Sequence, residues 1–373
     1  MPPISLLIKP ASSLCNLSCQ YCFYHDMTSN NLFPDYGIMS EVMLESLVKK
    51  ALDYADHTCT FAFQGGEPTL AGLSFYEHLI ELQTQYNHKK VKIHNVIQTN
   101  GLALDEKWAC FLSANHFLVG LSLDGPKNIN DRHRLHLDGK SSFNRVLHSM
   151  QLLNKHQVSY NILSVVTDQA SSHAHQIYRF FKRQKIQYMQ FIPCLDPIIK
   201  ADGINPISLS SEAYARFLKD LFDIWYHDVK DGEYVSIRYF DNLLGILVGN
   251  VTESCDMTGQ CSLQYVIESN GNIYPCDFYA TDDWCLGNIK EQDFLETKST
   301  KKASDFINLS MDIDSKCRSC KWMPLCRGGC RRHRETNGKD CLQLNRYCSA
   351  YIDFFEHTYS RLNHIAQKLR SEL

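Results

Sequence analysis

Ala11-Ser12-Ser13-Leu14-Cys15-Asn16-Leu17-Ser18-Cys19-Gln20-Tyr21-Cys22-Phe23-Tyr24 sets three thiols in CxxxCxxC spacing, directly after the short apolar run Ile4 to Ile8. Three thiolates can hold a cubane of four irons but leave one iron without a protein ligand. Four-cysteine cages close such clusters for electron storage, so a three-cysteine cage keeps one iron for a small molecule. A partial zinc site is the blander alternative, but structural zinc wants four ligands and no fourth stands nearby. Two buried core cysteines with one stray would be blander still. Tyr21, Phe23 and Tyr24 around the thiols favour the cluster, with Phe23 placed to shield its flank from water.

Working outward, the chain up to about residue 195 alternates β-rich runs with helical periodicity. Strands are predicted over Ser5–Lys9, Thr60–Gln64, Val91–Gln98, Phe117–Asp124, Val158–Thr167 and Ile186–Pro193. Helices are predicted over Glu41–Tyr54, Phe75–Gln85, Phe143–His156 and His173–Lys185. Alternation at this spacing implies a parallel sheet with covering helices. The count suits an α/β fold built as a partial (βα)6 TIM-like barrel, whose chemistry sits on loops leaving the strands' C-terminal ends. The notable residues obey that rule: Cys15–Cys22 follow the first strand, Gly65-Gly66-Glu67-Pro68 the second and Thr99-Asn100-Gly101 the third. A linker with Asp202-Gly203 and Asn205-Pro206 leads to an amphipathic helix from Ser211 to about Val229, started by Ser210 or Ser211 with Glu212. Residues 1–232 are expected to form the barrel with its linker and helix, and residues 233–373 a small cysteine-rich domain closed by a C-terminal helix.

The chain's 373 residues, 44 % hydrophobic and 21 % charged, are those of a globular protein. A net charge of −3 argues against a nucleic-acid platform. No signal peptide or membrane-length apolar run is visible, so a cytoplasmic, thiol-reducing setting is expected. Sixteen cysteines there are ligands, catalysts or small core residues rather than disulfide partners.

Gly65-Gly66-Glu67 offers a backbone that a ligand can approach closely and a carboxylate that can accept from an ammonium group. A lone GGE would be an ordinary turn, but this one is expected to share the barrel mouth with the three cysteines. Open iron and glycine-lined loop together suit an amino acid chelating iron. At these residues the first half resembles the radical S-adenosylmethionine enzymes. The resemblance implies that the reduced cluster passes one electron to the sulfonium and that the deoxyadenosyl radical so formed takes hydrogen from a substrate. It also places Tyr21, Ser122, Arg134 and Leu195, with Gly65, Gly66 and Glu67, at positions that hold the cofactor.

In the second half, Cys261, Gly271 and Cys276 are followed by Cys317-x2-Cys320-x5-Cys326-x3-Cys330 and Cys348. Tyr265–Glu268 and Asn272–Tyr274 are predicted strands joined by the hairpin signal Asn270-Gly271, which brings Cys261 and Cys276 together. The order resembles the SPASM extension, which holds two auxiliary four-iron clusters. By that resemblance Cys255, Cys261, Cys276 and Cys330 ligate the nearer cluster, and Cys317, Cys320, Cys326 and Cys348 the farther, giving three clusters in all. Two zinc ribbons would use the same cysteines. Closed cages relay electrons rather than bind substrate, so an oxidation is expected. Asp277, directly after Cys276, is placed to accept the accompanying proton.

Within that group the chain is similar over nearly its whole length to the anaerobic sulfatase-maturating enzymes. The matching stretches are Leu7-Ile8-Lys9-Pro10-Ala11-Ser12-Ser13, Phe61 to Leu73, Gln98-Thr99-Asn100-Gly101, Val235 to Asp241 and Tyr274-Pro275-Cys276-Asp277-Phe278-Tyr279. The resemblance implies oxidation of a Cys or Ser in a sulfatase's Cys/Ser-x-Pro-x-Arg segment to Cα-formylglycine. The implied partners are an unfolded sulfatase and a low-potential donor such as flavodoxin or ferredoxin, with no nucleic acid and no membrane. Tyr24, Gln64, Gln98, Asn161, Arg238, Tyr239 and Asp241 are candidates for gripping the peptide, their alternative being barrel-mouth packing. Competing functions are a SPASM enzyme forming thioether or carbon–carbon crosslinks, and a non-catalytic zinc scaffold. Cys59, Cys110, Cys194, Cys285 and Cys341 fall outside the three cages and are expected to pack as small hydrophobes.

Overall fold

A computed structural model describes residues 3–24, 31–32, 35–196, 207–335 and 343–372. Cys341 and the linker residues Asp202, Gly203, Asn205 and Pro206 lie outside these described residues. Two compact units are formed: Met1–Leu123 with Asp131–Asn161 and Ser262–Phe306, and Asp124–Asn130 with Ile162–Cys261 and Ile307–Leu373.

In the first unit Ile4–Ile8 lies parallel to Thr58–Phe63, Thr58–Phe63 to Lys92–Thr99, and Lys92–Thr99 to Leu118–Ser122. The registers, Leu6 with Phe61 and Phe61 with Asn95, carry the barrel-type order of successive parallel strands. Burial alternates along Thr58–Phe63, with Cys59, Phe61 and Phe63 turned into the core and their neighbours half-buried. That period of two leaves one face for covering helices and the other for the mouth. Helices Glu41–Tyr54 and Leu73–Tyr86 follow the first two strands. Ser40 caps the former by accepting from the Met43 N–H at 3.3 Å. Helices Glu106–Ala114 and Lys127–His133 also form, beyond those predicted. The hairpin expected from Asn270-Gly271 is present as Val266–Ile267 antiparallel to Asn272–Tyr274, and Val266–Ile267 runs parallel to the first strand.

The second unit carries Tyr188–Pro193 parallel to Tyr160–Val166 and to the short strand Ser236–Ile237. Helix Ser211–Lys230 starts at Ser210, whose hydroxyl accepts from the Ala213 N–H at 3.1 Å. It packs on the C-terminal helix Cys348–Glu372 through aromatic pairs such as Phe222–Phe354, 5.9 Å apart, and through Lys219–Asp353 at 2.6 Å. Among the described residues, no helix is long and apolar enough to cross a membrane.

Candidate active site

The cysteine loop leaves the first strand and is tied down by backbone pairing. Leu17–Cys19 forms a two-stranded ribbon with Arg134–His136, which sets Cys19 opposite Arg134. The Arg134 guanidinium then donates to the Tyr21 hydroxyl at 2.8 Å, so two expected cofactor residues meet at the loop. Cys15 Sγ accepts from the Leu17 N–H at 3.4 Å. Burial pushes the Cys15 thiol up to about 12, and Glu67, Cys19 and Cys22 add to that direction. Thiolates in such a place need a cation beside them, which iron supplies. All fifteen described cysteines are free thiols, and this donor set therefore fits a cluster.

Glu67 is buried and acts as a hub. Its Oε1 accepts from the Thr69 N–H at 3.0 Å, the Thr69 hydroxyl at 2.5 Å and the Thr99 hydroxyl at 2.7 Å. Its Oε2 accepts from the Asn100 N–H at 2.8 Å. The two glycines before it serve close packing: a Cβ on Gly66 would lie 2.1 Å from the Leu14 carbonyl oxygen, and one on Gly65 2.9 Å from Lys9 Cβ. The motif thus presses the second loop against the cysteine loop. Gln98 donates to the Ser122 hydroxyl at 2.9 Å at the ends of the next two strands.

Asp277 heads a turn after Cys276 and is 4 % exposed. Its Oδ2 accepts from the Tyr24 hydroxyl at 2.6 Å and from Gln64 Nε2 at 2.8 Å, while Oδ1 is buried with no partner among the described residues. Burial raises the Asp277 carboxyl above the ordinary range, and the Lys9 ammonium and these two donors oppose it. Lys9 is buried, pairs with Glu268 at 2.8 Å and stands over the Tyr24 ring at 5.3 Å.

In the second unit Cys317, Cys320, Cys326 and Cys348 line one cavity of about 390 Å³, walled by Trp322, Tyr351 and Phe355. Burial pushes the Cys326 thiol up to about 12, with Cys348, Cys317 and Cys320 adding to it. Cys255, Cys261 and Cys330 form a second group there: the Cys330 thiol is raised by burial first and then by Cys255 and Cys261. Cys276 belongs to the first unit.

The radical SAM superfamily model matches residues 10–181, and an iron-sulfur cluster-binding domain (SPASM) model matches residues 255–321. The chain is 49 % identical over 370 residues to a cysteine-type anaerobic sulfatase-maturating enzyme of Clostridium perfringens, covering 99 % of this chain and 100 % of that one. The chain belongs to the anaerobic sulfatase-maturating enzymes. It is 30 % identical to a serine-type member from Bacteroides thetaiotaomicron, over 99 % of this chain and 93 % of that one. A solved structure described as native anSMEcpe with bound AdoMet and Cp18Cys peptide superposes with a TM-score of 0.95 at 49 % identity, over 99 % of this chain and 100 % of that one. The expected family, the α/β fold and the oxidoreductase class, with iron-sulfur clusters and S-adenosylmethionine, therefore hold for this chain.

For this maturating enzyme the remaining candidates divide. Arg238 donates from Nη1 to Gln190 Oε1 at 3.1 Å, and its buried Nε has no partner among the described residues. Asp241 is taken up locally by the hydroxyls of Tyr234 and Ser236, both at 2.5 Å. Tyr239 packs among Phe240, Tyr351 and Phe354. Asn161 and Leu195 are half-buried in different units. Sequence reasoning did not single out Lys9, although it lay in a quoted matching stretch; a lysine at the end of an apolar strand, before a cysteine loop, was the available signal. Of the extra cysteines, Cys59 is fully buried, Cys194 is buried with its Sγ 3.6 Å from the Leu195 carbonyl, and Cys285 faces the Gly287 carbonyl at 3.6 Å. Cys110 departs from the expected packing: it is exposed, 3.6 Å from His156 Nδ1.

Proposed function

We propose that this maturating enzyme oxidises a cysteine of a sulfatase Cys-x-Pro-x-Arg segment to Cα-formylglycine. The single observation that carries the reading is the buried Asp277, held by two donors on one carboxylate oxygen and with no partner for the other among the described residues. Such a carboxylate is oriented by Tyr24 and Gln64 and ready to take a proton from a substrate thiol. The Lys9 charge favours its ionised form. When bound, the cluster at Cys15, Cys19 and Cys22 with S-adenosylmethionine supplies the hydrogen-abstracting radical, and auxiliary clusters accept the electron. The substrate side chain loses one hydrogen from Cβ, one proton from sulfur and one electron; the thioaldehyde so formed takes up water and releases hydrogen sulfide.

Tyr21, Gly65, Gly66, Glu67, Ser122, Arg134 and Leu195 hold the cofactor in this reading. Tyr24, Gln64, Gln98, Asn161, Arg238, Tyr239 and Asp241 line the peptide's path. Three four-iron clusters are held, the auxiliary pair by Cys255, Cys261, Cys276 and Cys330 and by Cys317, Cys320, Cys326 and Cys348, within a functional division at residues 1–232 and 233–373. The cavity lined by the last four thiols supports the farther cage. A cysteine substrate is supported by 49 % identity to a cysteine-type relative against 30 % to a serine-type one. A low-potential flavodoxin or ferredoxin reduces the first cluster.

Anaerobic turnover of paired Cys and Ser peptides tests the reading. Sulfur-for-oxygen exchange in the Cys peptide, trapped by a hydrazine, is expected. Cofactor cleavage without an aldehyde, or loss of hydrogen alone from the Cys peptide, would replace it with the crosslinking alternative. About twelve irons per chain, as three four-iron clusters require, are expected from the anaerobically reconstituted protein; stoichiometric zinc would overturn the reading.

A further inference from the structure

Asn100, just past the strand Lys92–Thr99, is 6 % exposed and engages its backbone N–H and both ends of its side-chain amide. Its backbone N–H donates to Glu67 Oε2 at 2.8 Å, and its Oδ1 accepts from the Leu102 N–H at 2.9 Å. The second bond decides which end of the amide is which. Oxygen faces the chain's own loop, and nitrogen faces the cysteine loop. Nδ2 donates to Asn16 Oδ1 at 2.7 Å and lies 3.9 Å from Cys15 Sγ. An amide carries two N–H groups, so both contacts are made at once. With the Leu17 N–H at 3.4 Å, Cys15 sulfur receives two donors, one from its own loop and one from the third strand's loop.

We propose that Asn100 is a positioning residue that raises the reduction potential of the cluster at Cys15, Cys19 and Cys22 by donating an N–H to Cys15 sulfur, with Glu67 fixing Asn100 in place. The inference rests on the reading that these three thiols hold a cluster. Reduction adds negative charge that is shared with the ligating sulfurs, and a hydrogen bond to sulfur stabilises that charge. At 3.9 Å the contact is longer than the Leu17 bond, and it is made from the buried Asn100 to the half-buried Cys15, where screening by water is reduced. Glu67 thereby gains a second duty: its hub of four bonds carries the position of the GGE loop to a sulfur of the cluster.

The test is a potentiometric titration of the anaerobically reconstituted full chain followed by electron paramagnetic resonance. The relevant cluster is identified as the one whose signal changes when S-adenosylmethionine is added. Asn100→Ser keeps a hydroxyl acceptor for the Leu102 N–H and loses the nitrogen donor; Asn100→Ala loses both. In Asn100→Ser the midpoint is expected to move to more negative potential at unchanged iron content, and reductive cofactor cleavage to slow in kcat more than in KM. A midpoint equal to that of the unsubstituted chain, at full iron content, overturns the proposal and leaves the cluster reading standing. Failure of both variants to load iron also overturns it, because Asn100 would then be a folding residue. Cys15→Ala separates the two: if its cofactor-responsive signal survives, the cluster reading itself fails.

Discussion

The cysteine loop of the first unit and the four-cysteine cavity of the second are held in opposite ways. Around Cys15 the local Leu17 N–H is joined by polar partners distant in sequence: Asn100, eighty-five positions away, and the buried Glu67 behind it. Around the cavity the scaffold is local and its walls largely apolar, with Lys316, Asn345 and Arg346 also lining it. The Cys320 N–H donates to the Cys317 carbonyl at 3.2 Å and the Cys326 N–H to the Trp322 carbonyl at 2.9 Å, while Trp322, Tyr351 and Phe355 line the space. A site that must bind a polar cofactor and pass a proton needs directed hydrogen bonds. A site that only relays electrons needs thiols and a dry wall. Among the described residues, the first unit also keeps a carboxylate oxygen without a partner, on Asp277, a costly arrangement that the proposed proton transfer would use.

The contrast breaks most sharply at Asp277. Asp277→Asn should lower aldehyde formation by about 10²–10⁴-fold, the range of a general base, while cofactor cleavage continues. Full aldehyde yield, measured by hydrazine trapping, would remove the residue from that role. At the other site, Cys317→Ala with Cys320→Ala should cost about four irons of about twelve by colorimetric assay. Cofactor cleavage in the absence of peptide should persist there. Loss of all iron would show that the second cavity is a folding element for the whole chain rather than a separate relay.

A smaller effect sharpens the comparison. Tyr24→Phe removes one of two donors to Asp277 Oδ2 and leaves Gln64 in place. Removal of one hydrogen bond to a charged group should slow aldehyde formation about tenfold. Equal kcat in Tyr24→Phe and the unsubstituted chain would show that Gln64 alone orients the carboxylate.

How much of this was legible depended on distance along the chain. Cysteine spacing, strand–helix alternation and the Asn270-Gly271 hairpin are local patterns, and each matches the observed element to within a few residues. Tyr24 and Gln64 were read as peptide grips, yet in the structure they bind Asp277 from 253 and 213 positions away. No periodicity encodes such a meeting. Lys9 and Asn100 stayed in the background for the same reason: a buried Lys and a turn Asn acquire meaning only when Glu268 or Cys15 stands opposite. The glycines of the GGE loop suggested room for a ligand, and their Cβ directions are filled by Lys9 and the Leu14 carbonyl instead. Packing between loops leaves the same glycine signature as packing against a ligand.

The smallest expected effect concerns a buried histidine in the scaffold of the second unit. His333 is buried edge-on to Tyr347 at 5.1 Å, and neither ring nitrogen has a hydrogen-bond partner among the described residues. Burial, with Arg346 and Arg332 adding to it, pushes its folded value down to about 3, against about 6.5 for the same side chain in an unfolded chain. Between those values the unfolded chain binds a proton that the folded one refuses. Stability should therefore be fully present above pH about 6.5 and fall as pH drops, by up to about 1.4 kcal/mol per unit, until about pH 3. His333→Phe keeps a flat ring beside Tyr347 and removes that proton. Its resistance to proteolysis should lose the acid dependence between pH 7 and pH 5.5 at constant iron content. An unchanged dependence would place the acid-sensitive group elsewhere.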